Sequence, residues 1–128
     1  MKKKTFILNK MENPSGMIKM ILKEARIRFS YLLAEWLLPY MKQLGYSYAF
    51  DEVTQHQNKG HKPDSLHYCG CAADILLYKD GVYQTTTEAH QQSGEFWESL
   101  DPYCKWGGRW GDGNHYSFSV PEIHGGNK

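Results

Sequence analysis

The stretch Cys71-Ala72-Ala73-Asp74-Ile75-Leu76-Leu77-Tyr78 is a run of small and apolar side chains broken by one carboxylate. It is short, it is nearly continuous in its apolar character, and it ends in Lys79-Asp80-Gly81. Those features predict a strand buried in a sheet and closed by a turn. A carboxylate inside such a strand reads either as an edge-strand charge or as part of a site. Upstream, Gln55 to Asp64 is polar and loop-like, and Tyr46 to Thr54 alternates as a second strand does. Further upstream, Ile21, Ala25, Phe29, Leu32, Trp36 and Tyr40 recur at spacings of three and four. One apolar stripe of that period predicts a core helix from about Met17 to Gly45, with Lys23, Glu24, Arg26 and Arg28 largely off the stripe. Pro39 is expected to kink or end its last turns and Gly45 to stop it.

Downstream, Thr87 to Leu100 predicts a second helix, with Thr87 as its N-cap and Phe96, Trp97 and Leu100 facing inward. The Gly/Trp-rich loop Trp106-Gly107-Gly108-Arg109-Trp110-Gly111 follows, then a short strand near His115 to Val120. The expected fold class is α+β, a small single domain with helices packed on a short antiparallel sheet. Residues 1–16, punctuated by Asn13-Pro14-Ser15-Gly16, read as a loose leader, 17–122 as the domain, and 123–128 as a frayed tail. No internal repeat or low-complexity tract is present.

With 128 residues the chain has the size of one domain with a real core. Hydrophobic residues make up 41% and charged residues 23%, an ordinary globular balance rather than a disordered one. Fifteen Lys and Arg against fourteen Asp and Glu leave a formal net charge of +1. A near-neutral chain has no global field for nucleic acid or an anionic membrane, so neither is an expected partner. The strongest apolar stretch, Tyr31 to Met41, contains Glu35 and Pro39 and is too short to span a bilayer, so no membrane insertion is expected. Lys2-Lys3-Lys4 is followed by Thr5-Phe6-Ile7-Leu8, which Asn9, Lys10 and Glu12 interrupt at once, so no export signal is recognised. Cys69, Cys71 and Cys104 cannot all pair with one another, and reduced, partly buried thiols are expected. A monomer is expected.

Two groups of residues are equipped for chemistry. One is Ser65, His67, Gly70, Ala72 and Asp74; the other is Asp112-Gly113-Asn114-His115. A catalytic zinc site has three protein ligands of His and Asp/Glu type and a fourth position for water, and His67, Asp74 and His115 supply that set. Asp112, three residues before His115, can reach the same volume if the segment turns there. The His67–Asp74 spacing fits neither a helix nor one flat strand face, so a bend around Gly70 must bring them together. Taken singly, each of these residues also reads as an ordinary surface or core position. A structural zinc site on His67, Cys69 and Cys71 is disfavoured, because it needs a fourth ligand and Cys104 is far along the chain. Trp106 and Trp110 read either as the lining of a groove or as packing for the Gly-rich loop. His56, His61, His90 and His124 are expected to be solvated.

The run from Ser65 to Asp74 resembles the signature of the zinc D-Ala-D-Ala carboxypeptidase superfamily, which includes the vancomycin-resistance dipeptidases and the L-alanyl-D-glutamate endopeptidases of phage lysis. Its pattern is Ser, His two on, Gly three later, Ala two later and Asp two after that, and all five anchors are present. The second half, an acidic residue, two spacers and a His, is matched by Asp112 to His115. Tyr78-Lys79-Asp80-Gly81-Val82-Tyr83, Gly94 to Leu100 and Trp106-Gly107-Gly108 are similar to the phage endolysin branch, and the resemblance spans roughly Phe50 to Phe118.

The resemblance implies a zinc peptidase domain with Zn2+ on His67, Asp74 and His115, and Asp112 as the general base and acid. Ser65 is implied as a support for the ligands. The chain departs from the family where an Arg commonly holds the carbonyl or oxyanion: Gln55 stands there, with no charge. Arg109, Lys59 and Lys62 are candidate substitutes, and Trp106, Arg109 and Trp110 are candidate groove residues. The implied function is hydrolysis of a peptide bond in the stem peptide of bacterial peptidoglycan, of L-alanyl-D-glutamate endopeptidase type. The alternatives are a D-Ala-D-Ala carboxypeptidase and a non-catalytic zinc-containing wall binder. An enzyme of the endolysin kind is made in the bacterial host cytoplasm without its own signal peptide and acts on the cell wall after release.

Overall fold

The computed structural model describes residues 20–52 and 70–124. The expected leader 1–16, the polar loop from Gln55 to Asp64, and Ser65, His67 and Cys69 lie outside the described residues, as do 125–128.

The quoted stretch forms the strand at the centre of the sheet. Strand β1 (Ser47–Glu52) pairs antiparallel along one side of β2 (Ala72–Lys79), with a register irregularity between Phe50 and Glu52. Asp80 and Gly81, both at positive φ, make the tight turn into β3 (Val82–Gln84), which pairs with the far end of β2. On the same side, β5 (His115–Phe118) pairs with the near end, and β4 (Cys104–Trp106) pairs with β5. The order is β1-β2-β5-β4, all antiparallel, and the expected α+β fold class is the observed one. Side chains alternate along β2 as a pleat requires. Ala73, Ile75 and Leu77 are buried, whereas Asp74, Leu76 and Tyr78 are only partly so.

The long helix carries the first difference from expectation. It runs as α1 (Leu22–Leu32), widens to a π turn over Leu33–Leu37, and continues as α2 (Leu38–Gln43). Leu38 N–H reaches back five residues to the Leu33 carbonyl. The widened turn lies directly before Pro39, which has no N–H to donate and whose ring crowds the preceding turn. Pro39 therefore neither ends the helix nor breaks its path. The extra residue in the turn moves the apolar stripe by one position. Ala25, Phe29 and Leu32 are buried as expected, but beyond them Leu33, Leu37 and Met41 face the core where Trp36 and Tyr40 were expected. Gly45, at φ +98°, ends the helix, with Gly45 N–H bonding the Lys42 carbonyl and Tyr46 N–H the Met41 carbonyl. This is the paired 5→2 and 6→1 closure for which a left-handed glycine is favoured.

Arg28 was expected off the core stripe and is instead 1% exposed, paired with the equally buried Asp101. Its guanidinium lies against the rings of Tyr103 and Phe118, at 5.8 and 5.3 Å from their centroids. The second helix also starts differently. A 3-10 turn, Thr87–His90, leads into α3 (Gln91–Leu100), and the cap is Thr86, whose Oγ1 accepts from Ala89 N–H at 3.2 Å. Trp97 and Leu100 are buried as expected, and Phe96 stacks on Tyr40. Trp97 joins the layers: its Nε1 donates to the carbonyls of Lys105 and Ser117, and its ring meets Phe29 edge-on. The chain ends its described part in a helical turn, α4 (Pro121–His124), which takes in two residues of the expected tail. Cys71 and Cys104 are buried thiols outside any disulfide.

Candidate metal centre

The site is built where β2 meets β5. Asp74 and His115 are direct partners across the antiparallel ladder, so their side chains leave the sheet on the same face. His115 Nδ1 lies 3.2 Å from Asp74 Oδ1. The strand end is pinned by Ile75 N–H donating to the Asn114 carbonyl at 2.8 Å. Ahead of β2, Gly70 sits at φ +77°, in the left-handed region that sharp bends use. The segment before Gly70, with His67, lies outside the described residues.

Asp112 arrives by a different route. A 3-10 turn, Gly107–Trp110, is closed by Asp112 N–H donating to the Gly107 carbonyl, and His115 N–H then donates to the Asp112 carbonyl. These two bonds fold the Asp112-to-His115 segment back on itself. They also require a glycine at 107, where an added Cβ would lie 2.3 Å from the Asp112 carbonyl oxygen and 2.7 Å from His115 Cβ. As a result Asp74, Asp112 and His115 form a candidate metal-binding triad, each with one ligand atom within 4.8 Å of the others. Asp74 and His115 are partly buried and Asp112 is exposed.

The donors suit a zinc ion: an imidazole and carboxylates are its usual nitrogen and oxygen ligands. The 3.2 Å between His115 Nδ1 and Asp74 Oδ1 is a hydrogen-bonding distance.

The other expected site residues separate. Trp106 is 1% exposed, so it is a core residue and not a groove wall; its ring fills the space beside Gly94 and Gly108, and its Nε1 donates to the Gly113 carbonyl. Arg109 is committed to Glu98, with three contacts of 2.6 to 3.2 Å, rather than aimed at the triad. Trp110 is the groove candidate that stays beside the site, 55% exposed with its ring 6.0 Å from that of His115. Ser65 and Gln55 lie outside the described residues.

His90, expected to be solvated, is 3% exposed, with Nδ1 2.7 Å from the Tyr116 hydroxyl. Burial penalises the imidazolium and lowers its pKa to about 4, so the ring is neutral at pH 7. The clue was available in the spacing: His90, Ser93, Trp97 and Leu100 form one helical stripe, and all four are buried. The same burial pushes the Tyr116 hydroxyl well above its ordinary value.

The chain matches no protein-family model and no curated protein. No helix among the described residues is long and apolar enough to cross a membrane.

Proposed function

We propose that the chain is a zinc-dependent peptidase that hydrolyses a peptide bond in the stem peptide of bacterial peptidoglycan, in the manner of an L-alanyl-D-glutamate endopeptidase. The observation that carries this reading is the convergence of Asp74, Asp112 and His115 from two halves of a sequence motif 38 residues apart. Asp74 and His115, partly buried and fixed across a sheet ladder, are the ligands, and His67 completes the set. Asp112, exposed on a folded-back loop outside the strands, serves as base.

When bound, zinc polarises the scissile carbonyl and brings water close to ionisation at neutral pH. The chain's own residues do the rest. Asp112 takes the proton of the attacking water and returns it to the leaving amine, a transfer suited to a carboxylate facing solvent and substrate. The β2–β5 ladder holds the ligand atoms of Asp74 and His115 so that little reorganisation accompanies metal binding. Trp110 flanks the site as an exposed aromatic face for the substrate. Ser65 supports the ligands and Gln55 donates to the carbonyl oxygen. The peptidoglycan stem peptide is the partner, met after release of the protein from the host cytoplasm.

The test is zinc stoichiometry after equilibrium dialysis. One zinc per chain is expected, with binding weakened at least tenfold in His67→Ala, Asp74→Ala and His115→Ala and unchanged in Cys69→Ser. Retention of zinc by the first three variants, or its loss in Cys69→Ser, would overturn the ligand assignment.

A further inference from the structure

The sheet has two faces, and the side chains of β2 divide between them by parity. Ala73, Ile75 and Leu77 belong to the core. Asp74, Leu76 and Tyr78 point the other way and are only partly buried. Cross-strand partners share a face, so the register adds His115 opposite Asp74, Ala49 opposite Leu76, and Ser47 and Tyr83 opposite Tyr78. Ser47, Ala49 and Tyr83 are exposed. The candidate ligands and the two tyrosines thus stand on one face of the sheet, towards opposite ends of β2.

Asp74 and Tyr78 are four residues apart, about 13 Å along an extended strand. Leu76 and Ala49 lie between them and carry no charge. The rings of Tyr78 and Tyr83 are 5.5 Å apart and tilted by 40°, and Tyr83 is 46% exposed. Tyr83 borders the same hollow as Asp112, so one depression joins the Asp112 loop to the aromatic pair. A tyrosine ring has an apolar face and a hydroxyl at its rim. That combination fits a pyranose, which offers a face of C–H groups and an edge of hydroxyl and amide groups. A small aliphatic side chain covers one such ring; two adjacent rings suit a guest that is itself a ring.

We propose that Tyr78 and Tyr83 form a platform for the sugar ring from which the stem peptide hangs, so that the chain prefers stem peptides still joined to glycan. The proposal rests on the peptidase reading above. In peptidoglycan the L-alanyl amine is acylated by the lactyl group of a muramic pyranose. With the L-alanyl carbonyl at the metal centre, the alanyl and lactyl units span about 7 Å at roughly 3.5 Å each. The pyranose beyond them then reaches the tyrosines, about 13 Å along β2. Trp110, with its ring 6.0 Å from that of His115, is too close to the metal centre to hold that sugar.

The experiment compares two synthetic stem peptides on the zinc-loaded full chain, one N-lactoylated and the other carrying the complete N-acetylmuramoyl group. They differ only in the pyranose. Cleavage rates are read alongside the backbone amide shifts of Tyr78 and Tyr83. The muramoyl peptide is expected to have a kcat/KM roughly tenfold higher and to be the one that moves those amides. Tyr83→Ala is expected to abolish the preference, and Tyr83→Phe, which keeps the ring, to retain most of it. Equal cleavage of both peptides, or a preference that survives in Tyr83→Ala, would overturn the platform and leave the peptidase reading standing. If neither is cut but only the muramoyl peptide moves those amides, the platform stands and the peptidase reading fails. If neither is cut and the sugar makes no difference to those amides, the platform falls too.

Discussion

Two clusters of ionisable groups sit on this small fold, and they are built on opposite terms. Arg28 and Asp101 are one cation and one anion, each about 1% exposed, roofed by the rings of Tyr103 and Phe118. Asp101 also accepts from the Tyr103 backbone N–H at 2.9 Å. That set is closed: its charges cancel and solvent is excluded. Asp74, Asp112 and His115 instead bring two carboxylates and an imidazole together, with the burial falling off towards Asp112. Carboxylates and an imidazole that converge with one of them exposed make this set a candidate for holding a cation. What separates the structural cluster from the candidate functional one is closure, not the number of charges.

The contrast can be broken at either end. The largest effect belongs to Asp112. Asp112→Ala is expected to reduce stem-peptide hydrolysis by about 10²- to 10⁴-fold, the usual worth of a positioned general base, while zinc binding changes little. Steady-state rates with parallel zinc titration check this, and persistent hydrolysis would remove Asp112 from the mechanism. At the closed cluster, Arg28→Ala leaves Asp101 buried and unpaired. It is expected to cost about 3–5 kcal/mol of stability in urea unfolding, with zinc affinity of the folded chain unchanged. Replacing both partners, Arg28→Met with Asp101→Leu, should cost much less.

A smaller perturbation tests whether the clusters are independent. In Gly94→Ala the new Cβ would fall 2.0 Å from the Trp106 ring, whose Nε1 anchors Gly113 in the Asp112 loop. Overpacking of this kind costs about 1–3 kcal/mol and should lower activity through loop displacement. The smallest effect is the pH dependence of His90. Its folded pKa of about 4 is below its ordinary 6.5, so the unfolded chain takes up the proton first as pH falls. Its contribution to stability is full above pH 6.5 and is lost as pH falls towards 4. Urea midpoints measured across that window should fall less steeply in His90→Gln.

The parts of this fold that were legible in the sequence are those set by local pattern. The apolar run around Ile75 and Leu77, the Asp80-Gly81 turn and the Gly45 stop each announce themselves within a few residues. The π turn was not legible as a shift of stripe, because its extra residue depends on how the helix accommodates Pro39 against the core. Arg28 was misjudged for a related reason: its burial is decided by Asp101, 73 residues away. Trp106 follows the same alternation as Cys104, buried on either side of exposed Lys105, and that period was readable within β4. The triad lies between these cases. Spacing alone gave Asp74 and His115 no common face; only the register of β2 against β5 does so.

The most direct measurement is a mass-spectrometric digest of purified peptidoglycan, with zinc added and with a chelator as control. New termini at the L-Ala–D-Glu bond that disappear with the chelator are the predicted result. A chain that binds zinc yet cuts no wall, or cuts equally well with the chelator present, would contradict the account of Asp74, Asp112 and His115 as a catalytic metal centre.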